Sequence, residues 1–348
     1  MRRKLTRNQI ILIVAGVLLV AIAVVGGMMV ARHLNKLDEP EMEQEADAGS
    51  AAPVNFAPLT GAPIEEAVAA NAPVIAVIIP NSTNYRTQSG LVEAEIVYEA
   101  IANGGVPRLM AFYQVNQPDK IGPVRSMRLH YMDWAMPYQA TIAYSGAAEY
   151  ALQAMREARV RQIRDGSISP NPFYREAAQG RLTEYTLYTS FERLAAANRQ
   201  QGYTSSNFTA WPRSDEPASS TDAATNIELS FGAASNNVAY AYDQASGTYT
   251  RRVGGQPHRD REKGQIAPSV VIAMRVRTNP TSDRENMTTT GTGDAVIFQN
   301  GQAISGRWSK DSREAPLKFY DMQGNEIVLA RGQTWVTAIP NNNRIFWR

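Results

Sequence analysis

The chain has 348 residues, with 35 Lys and Arg against 33 Asp and Glu, 44% hydrophobic residues and no cysteine. Without cysteine it cannot form a disulfide framework, a cysteine-ligated metal site or a thiol nucleophile. A charged fraction of 20% and ample apolar content allow one large or two ordinary globular domains and exclude a wholly disordered or collagen-like chain.

The small net charge of +2 is distributed unevenly along the chain. Residues 1–36 contain no acidic side chain and six basic ones: Arg2, Arg3, Lys4, Arg7, Arg32 and Lys36. Residues 38–47 contain six acidic side chains, and from residue 50 onward 29 basic residues balance 27 acidic ones. This near-neutral body gives no indication of nucleic-acid binding, and we expect no nucleic-acid partner.

Residues 10–31 form an apolar segment of 22 residues without a charged side chain. A helix of about 20 such residues crosses a bilayer, whereas the apolar part of a cleavable signal peptide has only about 7 to 15. The sequence therefore predicts an uncleaved, single-pass transmembrane signal anchor. Because basic residues cluster before it, residues 1–9 are expected to be a cytoplasmic tail, with everything after the span outside the cell membrane.

The exported part is predicted to have three sections. Residues 32–72, rich in acids, Ala and Pro, indicate a disordered stalk. In residues 73–205 predicted strands (74–79, 93–101, 108–115, 141–145) alternate with predicted helices (124–136, 147–158, 191–199), which favours a mixed α/β domain. The run 93–101 also fits a helix. After a linker at 206–226, short alternating runs separated by Gly turns make residues 227–348 mainly β, as a small barrel or sandwich. The predicted fold class is α+β.

Two arginines in the run 121–131 are the first candidates for binding. If Pro123 opens a helix, Arg125 and Arg128 lie on one face of its first two turns, where cations are unfavourable unless an anion sits among them. Guanidinium groups bind carboxylate and phosphate through paired hydrogen bonds. The alternative is that both arginines, with Arg108, form ion pairs with internal carboxylates.

Acidic and histidine residues give weaker candidates. Glu93, Glu95 and Glu99 share one face if their segment is a strand, and they could hold a cation, act as an acid–base pair or form salt bridges to the arginines. His258 and Asp260 lie two residues apart in a loop, where they could form a catalytic pair or simply make loop hydrogen bonds. Neither G-x-S-x-G nor H-E-x-x-H occurs, and we expect no metal site and no cofactor.

Three ordered motifs resemble those of a bacterial family. They are carried by Gly90, Leu91, Ala94, Glu95, Val97, Tyr98 and Glu99, then by Gly104, Gly105 and Arg108, then by residues 122–126 and Arg128. Their order and spacing are similar to the YerB-like lipoprotein family, an extracytoplasmic family with two domains of unknown function. The resemblance continues more faintly through residues 187–190, 257–260 and 306–308.

The chain departs from that family at two points. Family members often have Pro-His-Asn where this chain has Glu184, Tyr185 and Thr186, and the lipid-modified cysteine is missing. The resemblance implies membrane attachment, here through the spanning helix, but no reaction.

Two functions follow as hypotheses. In the first, the protein binds an anionic envelope ligand or surface protein at Arg108, Arg125 and Arg128, organised by Glu95 and Glu99, with Asn81 and Tyr98 nearby. In the second, it is a hydrolase or transferase acting on an envelope polymer or a lipid-linked phosphate, with Glu99 or the pair His258 and Asp260 as general base.

Overall fold

The computed structural model describes residues 16, 23–29, 55–64, 71–178, 180, 182–281 and 284–348. The chain divides into two compact units, Met1–Pro53 and Val54–Arg348. In the first unit, residues 23–29 are helical. Within the described ranges no helix is both long and apolar enough to cross a membrane. Most of the predicted anchor at residues 10–31 lies outside those ranges, so the anchor stays a prediction.

The first half of the second unit mixes strands with a few helices, as the sequence predicted. Its strands are β1 (Asn55–Phe56), β2 (Pro63–Ile64), β3 (Ile75–Pro80), β4 (Ile96–Asn103), β5 (Val106–Tyr113), β6 (Thr141–Tyr144), β7 (Gln162–Arg164), β8 (Tyr174–Arg175) and β9 (Leu187–Tyr188). Its α-helices are α1 (Leu129–Ala135), α2 (Glu149–Glu157) and α3 (Phe191–Gln200). Short 3₁₀ turns occur at Thr83–Tyr85, Met136–Tyr138 and Thr183–Tyr185.

The second half is mainly β, which confirms the predicted change from mixed α/β to mainly β structure. The first of its strands are β10 (Arg213–Ser214), β11 (Asn226–Leu229), β12 (Val238–Asp243), β13 (Thr248–Val253), β14 (Gln256–Pro257), β15 (Arg259–Asp260) and β16 (Gly264–Gln265). They are followed by β17 (Val270–Thr281), β18 (Arg284–Thr288), β19 (Gly291–Gln299), β20 (Gln302–Lys310), β21 (Lys318–Asp321), β22 (Leu329–Ala330), β23 (Thr334–Pro340) and β24 (Ile345–Trp347). A 3₁₀ turn lies at Ala234–Asn236.

Strands from both halves join in one mixed sheet. Among the described residues it has eleven strands, in the order β21-β20-β19-β17-β23-β4-β5-β3-β6-β7 with β18 paired to β17. Strand β23 runs parallel to both neighbours, so that Trp335 is opposite Val271 on one side and Val97 on the other. The expected separate barrel or sandwich is not formed, because these strands satisfy their backbone groups by extending the first half's sheet. Strands β14-β13-β12-β11-β24 form a second sheet.

The central sheet is buried on both faces. In β5, Met110 and Phe112 belong to one apolar cluster together with Trp134 of α1, while Leu109 and Ala111 belong to the other. Successive side chains of a strand point to opposite faces, and a strand covered on both faces reads as a continuous apolar run. Burying each large apolar side chain contributes about 1.5–3 kcal/mol, so these two cores stabilise the sheet from both faces.

Residues 55–64 differ from the predicted stalk, of which they are a part. They form the hairpin β1–β2, and Leu59 is only 2% exposed. The amide of Gly332 donates to the carbonyl of Thr60 at 2.9 Å. Gly61 has φ +64°, and a Cβ there would lie 2.8 Å from Cδ of Arg213, so this turn needs glycine for both conformation and space.

Candidate functional site

The run 121–128, which carries two of the candidate arginines, is extended. The amide of Val124 donates to the carbonyl of Leu187 at 2.7 Å and that of Arg125 to the carbonyl of Ile78 at 2.8 Å. Helix α1 begins only at Leu129, with Arg128 in extended geometry at its N-cap. The predicted helix 124–136 is therefore formed only in its second half, as α1. Its expected start at Pro123 is wrong, because neighbouring segments take the backbone donors that a helix there would need.

Arg108 and Arg128 make hydrogen bonds to backbone carbonyls. Nη1 of Arg108 donates to the carbonyl of Ser126 at 2.8 Å. Nε of Arg128 donates to Ala102 at 3.0 Å and its Nη1 to Met127 at 2.9 Å. Among the residues that the structure describes, no carboxylate lies within 4.0 Å of either guanidinium. The bonds to carbonyls hold both groups in place without neutralising their charge.

The three arginines repel one another. Burial, followed by the charges of Arg128 and Arg125, lowers the pKa of Arg108 to about 10. Burial also lowers the pKa of Arg128, with an added contribution from Arg125. Both guanidiniums still carry a full charge at neutral pH. The bond from Arg108 to the carbonyl of Ser126 places its guanidinium beside the segment that carries Arg125 and Arg128, and we call these three residues the arginine cluster.

Arg125 faces residues that the sequence did not single out for binding. Its Nη2 lies 3.2 Å from Oε1 of Glu184, a side chain that is 46% exposed. Its guanidinium carbon lies 5.0 Å from the ring centre of Tyr185, which stacks on Tyr85 at 3.8 Å. Nε of Arg125 is buried without a partner. The departure from the family pattern at residues 184–186 was the one sequence feature that pointed here.

His130 lies in the electric field of Arg128 and Arg108. It is 4% exposed, and its Nε2 has no hydrogen-bond partner. Burial lowers the pKa of His130 to about 3, and the charges of Arg128 and Arg108 act in the same direction. The imidazole is therefore neutral at physiological pH.

Glu99 does not organise the arginine cluster. Its carboxylate accepts hydrogen bonds from Nη2 of Arg251 at 2.8 and 2.9 Å, and both side chains are fully buried. Nδ2 of Asn81 donates to the same carboxylate at 2.9 Å. Strand pairing puts Glu99 opposite Leu109 and Ala100 opposite Arg108, so Glu99 and Arg108 lie on opposite faces of the sheet. The predicted role of Glu99 and Asn81 beside the arginines is therefore corrected.

A chain of buried hydrogen bonds continues from Arg251. Its Nε donates to Nδ1 of His258 at 3.0 Å, and its guanidinium carbon lies 4.2 Å from the ring centre of Trp335. Nε2 of His258 lies 3.1 Å from Oε1 of Gln88. Because Nδ1 accepts from arginine, the proton of the neutral ring is on Nε2 and is donated to Gln88. Burial, followed by the charge of Arg251, lowers the pKa of His258 well below its usual value.

Asp260 does not pair with His258. Its Oδ2 accepts from the amides of Leu91 at 2.6 Å and Val92 at 3.3 Å, and its Oδ1 accepts from Glu262 at 2.9 Å and Lys263 at 3.1 Å. Four backbone donors therefore occupy this carboxylate. The predicted His258 and Asp260 pair is replaced by two separate structural roles, which tie the second half to the segment before β4.

The hydrogen bonds of Glu95 and Tyr98 also go to groups other than the arginine cluster. Oε1 of Glu95 accepts from the amides of Val115 at 2.6 Å and Asn116 at 2.7 Å, and its Oε2 is buried without a partner. Burial raises the pKa of Glu95 to about 7. The hydroxyl of Tyr98 lies 3.1 Å from that of Tyr138, inside the core.

The arrangement is suited to holding an anion. Within the described residues, no three Asp, Glu or His side chains cluster as ligands for a metal ion. The arginine cluster instead combines three positive charges with a single exposed carboxylate at 3.2 Å and one buried N–H donor without a partner. Guanidinium groups offer paired N–H donors that match carboxylate or phosphate.

Comparison with known proteins gives matches along most of the chain. The model for "Protein of unknown function (DUF3048) N-terminal domain" matches residues 59–204, and that for its C-terminal domain matches residues 227–336. "Putative lipoprotein YerB" of Bacillus subtilis (strain 168) is 28% identical over 294 residues, covering 82% of this chain and 86% of that protein. The crystal structure of the YerB protein from Bacillus subtilis superposes with a TM-score of 0.74 at 24% identity, covering 84% of this chain and 99% of that one.

Proposed function

Because the chain belongs to the YerB-like family, whose two domains are of unknown function, we propose a function from the site itself: it is a membrane-anchored protein that binds an anionic group of the cell envelope. The anion, on an envelope ligand or a surface protein, is held by Arg108, Arg125 and Arg128. One observation supports this most. Arg108 and Arg128 donate to the backbone carbonyls of Ser126 and Ala102 and have no carboxylate partner among the described residues. Burial, followed by the charge of Arg128, lowers the pKa of Arg108 to about 10.

Most of the positive charge of the arginine cluster is uncompensated. Partly burying a guanidinium is unfavourable unless an opposite charge pairs with it. Backbone carbonyls supply only partial charges to Arg108 and Arg128, and Glu184 reaches only Arg125. An anion placed among the three would remove the repulsion and satisfy the unpartnered Nε of Arg125.

The test measures stabilisation of the full-length chain, in a non-ionic detergent, by inorganic phosphate and by succinate at constant ionic strength. A ligand that binds the folded state raises the midpoint of thermal unfolding. We expect Arg108→Gln and Arg128→Gln each to weaken the apparent affinity about tenfold, since hydrogen bonds to charged groups contribute about 1.5–3 kcal/mol. The control is Arg252→Gln, which alters an exposed arginine of β13.

Two results would contradict the proposal. In the first, both cluster variants keep the wild-type response to phosphate and succinate. In the second, Arg252→Gln reduces the response as much as they do, which would mean that only the total charge of the protein matters.

The membrane anchor is proposed on sequence grounds. The apolar run of 22 residues with four basic residues before it favours a single span with a cytoplasmic N-terminus. The relative in Bacillus subtilis bears the name of a lipoprotein, which supports association with a membrane surface outside the cytoplasm.

Topology can be tested without background because the chain has no cysteine. Single variants Thr6→Cys and Ser219→Cys are treated with a membrane-impermeant maleimide on intact spheroplasts. We expect labelling of Ser219→Cys before lysis and of Thr6→Cys only after lysis. The reverse pattern, or a mature protein too short to contain residue 6, would contradict the anchor.

The rival function, a hydrolase or transferase, has less support. A general base must face an open site where it can reach a substrate proton. Glu99 is bound by Arg251, His258 lies between Arg251 and Gln88, and Asp260 accepts four amides. None of these three side chains is left to act as a base.

A further inference from the structure

The central sheet forks at β17, and a cavity lies in the fork. Strand β17 pairs with β19 up to Met274 opposite Ala295, and then pairs with β18 from Arg277 opposite Thr288 onward. The start of β19, from Gly291, pairs with β20. Between the diverging strands is a cavity of about 540 Å³, which we call the fork cavity.

The lining of the fork cavity is strongly basic. Arg275, Arg277 and Arg307 line it, with one carboxylate, that of Asp294. Nη1 of Arg307 lies 3.8 Å from Oδ1 of Asp294, and the two side chains are 55% and 74% exposed. A bridge this long and exposed contributes little. Within the described part of the chain, Arg275 and Arg277 have no carboxylate within 4.0 Å.

Two of the lining groups are held rigidly. Nη1 of Arg275 donates to the carbonyl of Asn341 at 2.8 Å, and Nε1 of Trp308 donates to the carbonyl of Arg275 at 2.8 Å. A Cβ on Gly293 would lie 2.5 Å from that indole nitrogen, and one on Gly306 would overlap the carbonyl oxygen of Tyr320. The run 306–308, noted in the sequence, therefore serves to place an indole and an arginine at this cavity.

Threonines complete the lining. Thr288, Thr290 and Thr292 lie around the cavity together with Asn341. Threonine hydroxyls both donate and accept hydrogen bonds, and a carboxylate such as Asp294 accepts from a ligand hydroxyl. The volume is within the usual range for small-molecule sites, roughly 300–1,000 Å³, and is larger than a lone phosphate requires.

We infer that the fork cavity binds a phosphorylated polyol. The guanidiniums of Arg275, Arg277 and Arg307 hold the phosphate, for which arginine is the preferred side chain. The threonine hydroxyls and Asp294 hold the polyol hydroxyls. This site goes beyond the proposed function, because it shares no residue with the arginine cluster and would exist without it.

The experiment titrates the full-length chain, in a non-ionic detergent, with sn-glycerol 3-phosphate in a calorimeter. Arg277 is exposed, so Arg277→Gln changes charge at the cavity without opening a core. We expect it to weaken binding about tenfold, as the loss of a charge-assisted hydrogen bond predicts. All titrations are made in an Arg128→Gln background, which weakens phosphate binding at the arginine cluster. In that background Arg252→Gln, which lies outside the fork cavity, leaves this binding unchanged.

A second variant isolates the polyol contacts. Thr292 is exposed, and Thr292→Val is expected to weaken glycerol 3-phosphate several-fold while leaving the weaker binding of inorganic phosphate as it was. A soluble short-chain phosphatidylglycerol distinguishes a lipid headgroup from a free phosphorylated polyol: competition with glycerol 3-phosphate identifies the headgroup, and its absence identifies the free molecule.

Three outcomes would overturn the inference. They are unchanged binding in Arg277→Gln, equal affinity for inorganic phosphate and glycerol 3-phosphate, and an equal loss in Arg252→Gln. A failure of the arginine cluster in its own test would leave these results intact, so the two sites are judged separately.

Discussion

Replacing Glu99 with glutamine removes the charge that balances Arg251 in the core. The carboxylate accepts two hydrogen bonds from Arg251, at 2.8 and 2.9 Å, and one from Asn81, at 2.9 Å, with both charged side chains fully buried. Removing one member of a buried ion pair costs about 3–5 kcal/mol, because the other charge is left without a partner. The glutamine oxygen can still accept one bond, and Trp335 still lies 4.2 Å from the guanidinium carbon, so we expect a loss of about 3 kcal/mol in the free energy of unfolding.

Urea unfolding of the full-length chain in a non-ionic detergent, followed by tryptophan fluorescence, measures this loss. The matched control is Glu326→Gln, which breaks a bridge to Lys318 at 3.0 Å between side chains about one-third exposed. Such surface pairs contribute about 0–1 kcal/mol. The double variant Glu99→Gln with Arg251→Met is expected to lose less than Glu99→Gln alone, since no buried charge remains.

An unbalanced buried charge is contradicted if Glu99→Gln loses no more free energy of unfolding than Glu326→Gln. It is also contradicted if adding Arg251→Met makes the protein less stable than the single variant, because then the contacts of Arg251, and not its unbalanced charge, determine the effect.

Two further predictions concern pH. Burial raises the pKa of Glu95 from 4.5 to about 7, so its contribution to stability is complete below pH 4.5 and is lost as the pH rises to about 7. Relative to wild type, Glu95→Gln is expected to gain up to about 3 kcal/mol in free energy of unfolding at pH 8. A difference in urea midpoint between the variant and wild type that is the same at pH 5 and pH 8 would refute this. Burial lowers the pKa of His258 far below 6.5, so the unfolded chain takes up a proton below about pH 6.5 that the folded chain does not. Relative to His258→Gln, wild type is therefore expected to lose up to about 1.4 kcal/mol of free energy of unfolding per pH unit as the pH falls from 6.5 to 5. If the free energy of unfolding changed with pH in the same way in both proteins, that would be inconsistent with a buried neutral ring.

The local patterns of the sequence predicted the strands well. The runs around 75–79 and 108–113 are strands, because apolar residues flanked by turn residues favour an extended, buried segment whatever lies next to it. The helix at Phe191–Gln200 was predicted too, and Ser190 caps it by accepting from the amide of Arg193.

Features that depend on long-range pairing were predicted less well. Pro123 is a good first residue for a helix, yet the amides of the run 122–127 bond to carbonyls of residues 78, 89, 146 and 187. Glu99 and Arg108 are nine positions apart and looked like partners, but cross-strand register places them on opposite faces. Arg251, the true partner of Glu99, is 152 positions away, and no local pattern marks such a pair.

By itself the sequence determined the uneven charge, the apolar run at 10–31 and the change from mixed α/β to mainly β structure. It also singled out Arg108, Arg125 and Arg128 as candidates for binding an anion. These properties depend on composition and on periodicities of two or 3.6 residues, which neighbouring residues set. Only the tertiary structure decided which charges meet. It joined the two halves through β23, buried Glu99 against Arg251, and left Arg108 and Arg128 without a described carboxylate partner, because ion pairing depends on distances that the packing of two cores fixes.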